Sequence, residues 1–471
     1  MNPRPLVPFA LAAALTAGCQ VATRTTKPPP LDAGDEGAVY VYLEPVADDA
    51  ARLHLTVGSL GLEGAGGTPV PLSVLLPDLP GKEPGRQRLL AAGRAPEGRY
   101  AGLVVGLRQA SAEGSRGGVS LPLTSEPVRV AIPLGVARGR AVVVSLKLAT
   151  GGGVGDVPMM PQFRATLSRP PLPQLAGMTS DTGTDAITVF DRAAKVVRAV
   201  FPAGREPNGI AIDPVAVRAY VALGGEDQVE VLDLATGIDQ NRIRLRPGDR
   251  PTALRLTPDG QTAVVVNPGS NSASFVRTRA GVESQRVATG DQPWSILIDR
   301  SGRRGYVFNR ASNSITVLDV ANQSVVRAVA TEAEPVFGQL NRAGDRLYVA
   351  QAASPYLAVL AVPEMTVTRR VHVGSGAMVL KVDPRTDLLY MARRFEPRLD
   401  VYDPYSMLSV DRVDLPGPAN AMAIDETENT LLVLCGEDRA LVVVDLGSRR
   451  VLAVLDVGSD PYDVAVTGER R

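Results

Sequence analysis

Arginine side chains next to an aromatic residue are the feature of this sequence best suited to ligand chemistry. Arg393 and Arg394 precede Phe395, and Arg310 lies earlier in the chain. Guanidinium groups bind carboxylates and phosphates through paired hydrogen bonds, so these arginines predict an acidic ligand. The alternative, which the sequence favours, is a solvated loop in which the arginines pair with Glu396 and its neighbours.

Trp294, the only tryptophan, and several amide and hydroxyl side chains are the other binding candidates. A tryptophan at a surface stacks on a sugar ring or packs against its neighbours, and the sequence leaves both roles open. The remaining candidates are Asn208, Asn267, Asn309, Asn420 and Tyr462. Each asparagine has an alternative role, because asparagine side chains commonly cap their own turns through bonds to the backbone.

Metal-binding and catalytic side chains are scarce. Two His and two Cys among 471 residues exclude multi-His metal sites, haem pairs and disulfide frameworks. No Ser-His-Asp arrangement, phosphate loop or dinucleotide fingerprint is present. Asp181 and Asp185 are weak metal candidates, because their loop lacks the spacing of a calcium loop. We predict no cofactor, and a divalent metal in the propeller channel stays open as an alternative.

The strands that carry these residues repeat along the second part of the chain. A strand that ends in Ile187-Thr188-Val189-Phe190-Asp191 has counterparts that end at Asp233, Arg277, Asp319, Ala361, Asp403 and Asp445. Two further strand positions recur at the same interval. A constant period of about 42 residues, made of short alternating strands and Gly/Asp turns, predicts propeller blades of four strands each.

The two ends of the repeat region complement each other. The last repeat stops at Val464-Ala465-Val466-Thr467, before its second strand, and the missing strand lies around Met178. A blade with residues 461–467 as its innermost strand and residues 175–201 as the other three closes the ring and removes its open edges. The sequence therefore predicts an all-β fold with a seven-bladed β-propeller over residues 175–471.

Several motifs resemble those of a known family. They are Tyr306-Val307-Phe308-Asn309, Ile315-Thr316-Val317-Leu318-Asp319 and the Gly-x-x-Pro element at residues 204–207, which recurs at 248–251, 290–293 and 458–461. With these motifs the region 175–471 resembles the YVTN-repeat family of seven-bladed β-propellers. The resemblance implies the fold and leaves the activity open. Family members are described as periplasmic or surface-attached binding proteins, and related propellers include lactonases and cofactor-bearing oxidoreductases.

Strand order predicts which residues share one end of the propeller channel. The Gly-x-x-Pro loops and the loops after the second strands lie at one end, called the loop face here, and the Asp-Pro-type turns lie at the other. The residues that follow the proline position, called the mouth ring, are Asn208, Thr252, Trp294, Val336, Met378, Asn420 and Tyr462. The residues that end the second strands, called the strand-end ring, are Asp181, Leu223, Asn267, Asn309, Gln351, Arg393 and Cys435.

The N-terminus resembles a lipoprotein signal. Residues 1–18 contain a short positive segment and an apolar stretch from Leu6 to Leu15, and the run up to Cys19 resembles a lipobox. The alternative is an ordinary secretory signal with an accidental cysteine. An acylated Cys19 followed by a Pro-rich tether (19–36) predicts attachment to the membrane of the bacterial cell envelope. Because Gln20 is not aspartate, the outer membrane is favoured, with a periplasmic or a surface-facing orientation left open.

Residues 37–168 are predicted to form a β-sandwich that precedes the propeller. Alternating segments such as Val39-Tyr40-Val41-Tyr42-Leu43 are separated by Gly and Pro clusters. The stretches around residues 89–100 and 162–167 loosely resemble a transthyretin-like domain of unknown function from bacterial lipoproteins. A Pro-rich linker (169–174) is expected to lead into the propeller.

These features favour a cell-envelope lipoprotein that acts as a binding or scaffolding module through its loop face. Its expected partner is an envelope protein, a polysaccharide or a small acidic ligand. The alternative is a lactonase-like hydrolase with a carboxylate and metal site at the channel mouth, formed from Asp181, Asp463 and Glu226. Nucleic acid is a poor partner, because 50 basic residues balance 50 acidic ones.

Overall fold

A computed structural model describes residues 36–46, 50, 52–64, 67–79, 86–114, 117–123, 126–150 and 161–469. The predicted signal peptide, Cys19 and the tether up to residue 35 lie outside the described residues. The described part consists of strands and loops with two 3₁₀ turns, Pro173–Leu175 and Pro268–Ser270. No helix within these ranges is long and apolar enough to cross a membrane.

Strands β1–β10 come before the linker, and strands β11–β38 form the repeat region. The first group is β1 (Glu36–Leu43), β2 (Leu53–Glu63), β3 (Val70–Val74), β4 (Asp78–Leu79), β5 (Arg86–Pro96), β6 (Gly98–Gly114), β7 (Gly117–Ser120), β8 (Val128–Val136), β9 (Ala141–Thr150) and β10 (Pro161–Leu167). The second group begins with β11 (Ala176–Asp181), β12 (Ala186–Asp191), β13 (Val196–Pro202), β14 (Pro207–Asp213), β15 (Arg218–Leu223), β16 (Gln228–Asp233), β17 (Asp239–Arg244), β18 (Ala253–Leu256), β19 (Thr262–Asn267), β20 (Ser272–Arg277), β21 (Val282–Ala288), β22 (Pro293–Ile298), β23 (Arg304–Asn309), β24 (Ser314–Asp319) and β25 (Ser324–Ala330). It ends with β26 (Pro335–Leu340), β27 (Arg346–Gln351), β28 (Tyr356–Ala361), β29 (Thr366–His372), β30 (Ala377–Val382), β31 (Leu389–Arg393), β32 (Arg398–Tyr402), β33 (Ser409–Asp414), β34 (Ala419–Asp425), β35 (Thr430–Cys435), β36 (Ala440–Asp445), β37 (Val451–Asp456) and β38 (Pro461–Val466).

The repeat region folds into four-stranded antiparallel blades. Five blades use consecutive strands: β14–β17, β18–β21, β22–β25, β26–β29 and β30–β33. A sixth has the order β13-β12-β11-β38, so both ends of the repeat region share one sheet. Met178 of β11 lies opposite Ala465 of β38. This sheet confirms the predicted pairing between the two ends.

The remaining strands, β34–β37, have the same antiparallel order but belong to a larger sheet. Strand β37 pairs in parallel with β5, and this pairing joins the four strands to the N-terminal strands in one sheet of 14. The innermost strands β14, β18, β22, β26, β30, β34 and β38 contact one another in this order, and β38 contacts β14. The fold is therefore an all-β propeller in which six blades are separate sheets, where seven were predicted.

Recurrent aspartates shape the turns between the third and fourth strands in five of the blades, while Arg277 and Ala361 replace them in two others. The side chain of Asp191 accepts hydrogen bonds from the amides of Ala193 and Ala194, and Asp403 does the same with Tyr405 and Ser406. In the turn, these backbone amides have no partner in a neighbouring strand, and the aspartate side chains accept their hydrogen bonds instead. The repetition of these aspartates therefore reflects turn formation.

The N-terminal strands surround an apolar core of their own. Strand β1 lies between β5 and β9, while β6 pairs with β2, β7 and β8. Strand β3 connects the two groups because it pairs with both β2 and β5. Since the strands form one hydrogen-bonded network rather than two separate sheets, the β-sandwich stays a prediction.

A shared apolar cluster joins the N-terminal strands to the propeller. Tyr42 and Leu89 pack in the same cluster as Leu434 and Leu455. The buried amide of Gln87 accepts a hydrogen bond from the Val197 backbone N–H at 2.6 Å and donates to its carbonyl at 3.4 Å. The two parts of the chain therefore share a core and a backbone pairing.

Replacing Asp456 by alanine is expected to loosen this junction and to lower the free energy of unfolding by about 2 kcal/mol. The Asp456 carboxylate accepts hydrogen bonds from Arg86 Nε at 3.0 Å and from the Leu89 backbone N–H at 2.9 Å. Hydrogen exchange of β5 and urea denaturation measure both effects. Asp414→Ala, at the corresponding position of β33, is the matched control. Equal protection of β5 in both variants would contradict the expectation.

Candidate functional site

The mouth ring joins neighbouring blades at the loop face. The side-chain amide of Asn208 donates to the Pro251 carbonyl at 3.1 Å, and that of Asn420 donates to the Pro461 carbonyl at 2.7 Å. Asn208 is buried, whereas Asn420 is exposed. The two asparagines thus hold adjacent inner strands together and do not cap their own turns, and Asn420 also faces solvent.

Trp294 packs against the apolar core and also forms a cation–π contact with Arg310. Its side chain packs against the apolar cluster that includes Val336 and Ala350. The Arg310 guanidinium lies over the ring, with its carbon 5.5 Å from the ring centroid, and Arg310 Nε donates to Glu334 Oε2 at 3.0 Å. The aromatic face and the carboxylate together orient Arg310 at the rim, where its side chain is 33% exposed.

Tyr462 is linked to the same rim through Thr252. Burial and the nearby Asp463 carboxylate raise the pKa of Tyr462, against the opposing effect of its hydrogen bond with Thr252. The Thr252 hydroxyl also donates to the Trp294 carbonyl at 3.5 Å. Tyr462, Thr252 and Trp294 therefore form a connected arc of the channel mouth, and the phenol stays neutral at physiological pH.

Polar residues of the strand-end ring connect neighbouring strands within several blades. The side chain of Asn267 donates to the Ser274 hydroxyl at 2.8 Å, and that of Asn309 donates to the Thr316 hydroxyl at 2.9 Å. Arg393 Nη2 likewise donates to Asp400 at 2.6 Å. In each case the acceptor lies in the next strand of the same blade. Asn267 and Asn309 are fully buried, so these contacts favour the structural role for both.

The arginine cluster after β31 divides into paired and exposed residues. Arg393 also contacts Glu396 at 2.8 Å, and Arg398 contacts the same carboxylate at 2.8 Å. These pairs match the alternative in which the loop charges neutralise one another. Arg394 differs, because it is exposed and lies 5.5 Å from the ring of Phe395, which is 80% exposed.

Asp181, the first metal candidate, is enclosed by hydrogen-bond donors. It is fully buried, and it accepts hydrogen bonds from the Thr188 and Thr179 hydroxyls and the Gly458 backbone. Burial raises its pKa to about 7, against the effect of these donors. A Cβ on Gly458 would lie within 2.6 Å of this carboxylate, so the backbone covers it closely.

The other carboxylates of the metal and lactonase hypotheses are Asp185, Asp463 and Glu226, and each interacts with a different partner. Asp185 accepts a hydrogen bond from the Glu206 backbone N–H at 2.8 Å, and burial raises its pKa. Asp463 pairs with Arg255 at 3.2 Å, and Glu226 pairs with Arg242 at 2.7 Å. Among the residues that the structure describes, no three His, Cys, Asp or Glu side chains are grouped as metal ligands. The structure thus does not bring these carboxylates together.

Cys435, the cysteine of the strand-end ring, is buried and forms no disulfide. Burial raises its pKa to about 12, so the thiol is protonated at neutral pH. A protonated, enclosed thiol is a poor nucleophile. Cys19, the predicted lipidation site, lies outside the described residues.

The sequence reasoning missed two groups of polar residues. Arg255, Gln339 and Lys381 line a cavity in the channel, at the end opposite the loop face. Their separation by whole numbers of repeats was a usable signal, because the repeat places them at one position of the inner strand. Glu230 and Arg242 line a cleft of about 280 Å³ between the N-terminal strands and the propeller. Sequence periodicity contains no signal for that contact.

Solved structures support the fold. A functionally unknown protein from Desulfotomaculum acetoxidans matches with a TM-score of 0.55 and 15% identity, over 62% of this chain and 98% of that one. Two proteins provisionally assigned as 6-phosphogluconolactonases match over 62% of this chain. The one from Bacteroides uniformis has a TM-score of 0.52, 13% identity and 99% of its own length covered. The one from Bacteroides fragilis has a TM-score of 0.53, 12% identity and 97% covered.

Comparisons by sequence add no family. No protein-family model matches the chain, and the search of curated proteins gives no match. The resemblance to the YVTN-repeat family therefore stays a prediction. At identities of 12–15% the structural matches are evidence of architecture alone. What these comparisons establish is that the chain contains a β-propeller similar in fold to those proteins.

Proposed function

We propose that the chain is a lipid-anchored binding protein of the bacterial cell envelope whose loop face takes an acidic polysaccharide. The observation that carries the proposal is Arg310, which Trp294 and Glu334 orient at the channel mouth. A guanidinium that is already fixed in place loses less conformational freedom when it binds a carboxylate. Arg394 presents a second, exposed guanidinium at the corresponding position two blades further along.

A polymer with repeated carboxylates fits two cations on separate blades better than a single small anion does. Binding at both points is multivalent, so the second contact forms at a high effective concentration. Asn420 and Tyr462 border the same mouth, and the exposed Asn420 amide is available to sugar hydroxyls. The predicted anchor at Cys19 would hold this face near the polysaccharides of the envelope.

We infer that β34–β37 act as the seventh blade. The inference is supported by the contacts of β34 with the inner strands on both sides of it. The pairing of β37 with β5 then explains why these strands belong to the larger sheet. The two groups of N-terminal strands around a single core likewise support the predicted β-sandwich.

Replacing Arg310 by glutamine is expected to weaken binding of polygalacturonate by about tenfold, because a charge-assisted hydrogen bond is lost. The probe is titrated into the full chain by calorimetry at low and high salt. Arg279→Gln, an exposed arginine in a turn at the opposite end of the blades, is the matched control. Failure of the full chain to bind, or equal affinities of both variants, would overturn the proposal.

The lactonase alternative is supported by the structural likeness to the two Bacteroides proteins and by no feature of the site. Its three carboxylates are engaged in separate interactions, as described above. Hydrolysis of 6-phosphogluconolactone by the full chain above the uncatalysed rate would favour this alternative.

A further inference from the structure

Seven positions of the inner strands correspond to one another, because each lies opposite the same point of its neighbouring strand. Four of them have apolar residues: Ala211, Leu297, Ala423 and Ala465. The other three have polar residues that can bind a ligand: Arg255, Gln339 and Lys381. The blades without a polar residue show that the fold does not require one here. The three exceptions therefore call for another explanation.

These three side chains line one cavity of about 160 Å³. Pro258 and Pro384 also line it, which places it at the end of the channel with the Asp-Pro-type turns. An adjoining cavity of about 70 Å³ shares Arg255 and Lys381. Both are small compared with the roughly 300–1,000 Å³ of sites for drug-sized ligands. The space suits a small molecule and excludes a polymer.

A carboxylate of the chain already lies against the cations. Lys381 Nζ donates to Glu469 Oε1 at 2.8 Å, and the lysine side chain is only 11% exposed. Glu469 lies beyond the end of β38 and belongs to no strand, and its side chain is 35% exposed. Its carboxylate can therefore leave Lys381 without any loss of strand pairing.

Two other acidic groups around the cavity, Asp463 and Asp299, are less easily displaced. Asp463 belongs to β38, is 13% exposed and pairs with Arg255 at 3.2 Å. Asp299 accepts hydrogen bonds from the Arg303 and Arg304 backbone amides within its own turn. Glu426 also lines the cavity. Glu469 is the carboxylate that contacts Lys381 from outside the strands, so it is the group that an incoming anion can replace on this lysine.

We propose that Arg255, Gln339 and Lys381 form a second binding site, the channel-base site, for a small carboxylate anion that replaces Glu469 on Lys381. Lys381 supplies the charge, Gln339 supplies a neutral amide donor, and Arg255 adds positive potential next to Asp463. The apolar walls include Leu297, Val382 and Ile424, which suit a short carbon chain. This site is independent of the loop face.

Calorimetric titration of succinate into the full chain tests the proposal. One binding site is expected in the wild type, and Lys381→Met is expected to weaken it by about tenfold. Glu469→Gln is expected to tighten binding by about threefold or more, because the competing internal carboxylate is removed. A purely structural Glu469 would not produce this gain, so the second variant separates the two roles.

The matched control is Lys147→Met, which removes an exposed lysine of β9. It is expected to bind succinate as the wild type does, and Lys381→Met is expected to bind polygalacturonate as the wild type does. The proposal is overturned if neither the wild type nor Glu469→Gln binds succinate. It is also overturned if Lys147→Met and Lys381→Met lose affinity equally, since that would indicate a general effect of charge.

Discussion

Replacing Arg192 by methionine is expected to lower the free energy of unfolding by about 3–5 kcal/mol, because a buried carboxylate loses its counter-ion. Arg192 Nη1 donates to both oxygens of Asp425, at 3.0 and 2.8 Å, and Asp425 is fully buried. Arg192 follows β12, whereas Asp425 ends β34. The pair therefore ties the blade made from both ends of the repeat region to the strands beside it. Urea denaturation followed by circular dichroism measures the loss.

Two comparisons separate this pair from ordinary surface charge. Arg129 is 70% exposed and pairs with Glu63 at the surface. Arg129→Met breaks this pair and should lower the free energy of unfolding by only about 0–1 kcal/mol. Adding Asp425→Asn to Arg192→Met should recover part of the loss, because the unpaired charge disappears. If Arg192→Met costs no more than Arg129→Met, the pair does not hold the ring closed.

Replacing Asp181 by asparagine is expected to stabilise the protein above pH 7. The pKa of Asp181 rises from 3.8 to about 7 because the carboxyl group is buried. The stabilisation linked to its protonation is complete below about pH 4 and is lost as the pH rises through 7. At about 1.4 kcal/mol per pKa unit, the loss at pH 8 is on the order of 4 kcal/mol at most.

An asparagine at position 181 does not ionise, so it does not lose stability as the pH rises. Two other blades already have asparagine at this position. Asn267 and Asn309 occupy the corresponding positions and donate to Ser274 and Thr316, as an amide at position 181 could donate to Thr188. Urea denaturation from pH 4 to 8 should show a gain for Asp181→Asn that grows between pH 4 and 7. Asp191→Asn, in a surface turn, is the control for the change in net charge. A gain that does not depend on pH would contradict the account.

The repeat made the propeller predictable from sequence. Landmarks that recur once in each repeat located the strands, and the incomplete last repeat located the partner of β38 in residues around Met178. A slip of one residue would turn every apolar side chain of a strand to its other face, so register is strongly specified wherever one face is buried. The predicted strand-end ring accordingly matches the observed ends of β11, β19, β23 and β31.

Contacts between distant parts of the chain were not predictable in this way. The pairing of β37 with β5 depends on where the N-terminal strands dock, and no periodic pattern records that position. The sequence also placed Asn267 and Asn309 at the correct strand ends, yet it could not show that hydroxyls of the next strand bind their amides. Arg255, Gln339 and Lys381 were accessible to the repeat argument, because the other four blades have an apolar residue at the same position.

The fluorescence of Trp294 tests the proposed function most directly. Because it is the only tryptophan, emission excited selectively from tryptophan rather than from the 11 tyrosines reports on the channel mouth alone. Polygalacturonate that binds Arg310 should change the contact between the guanidinium and the ring, and so shift or quench this emission in a saturable way. Arg310→Gln should abolish the change, and Arg279→Gln should retain it. A polymer that binds the wild type and leaves the emission unaltered would show that the loop face is not the site.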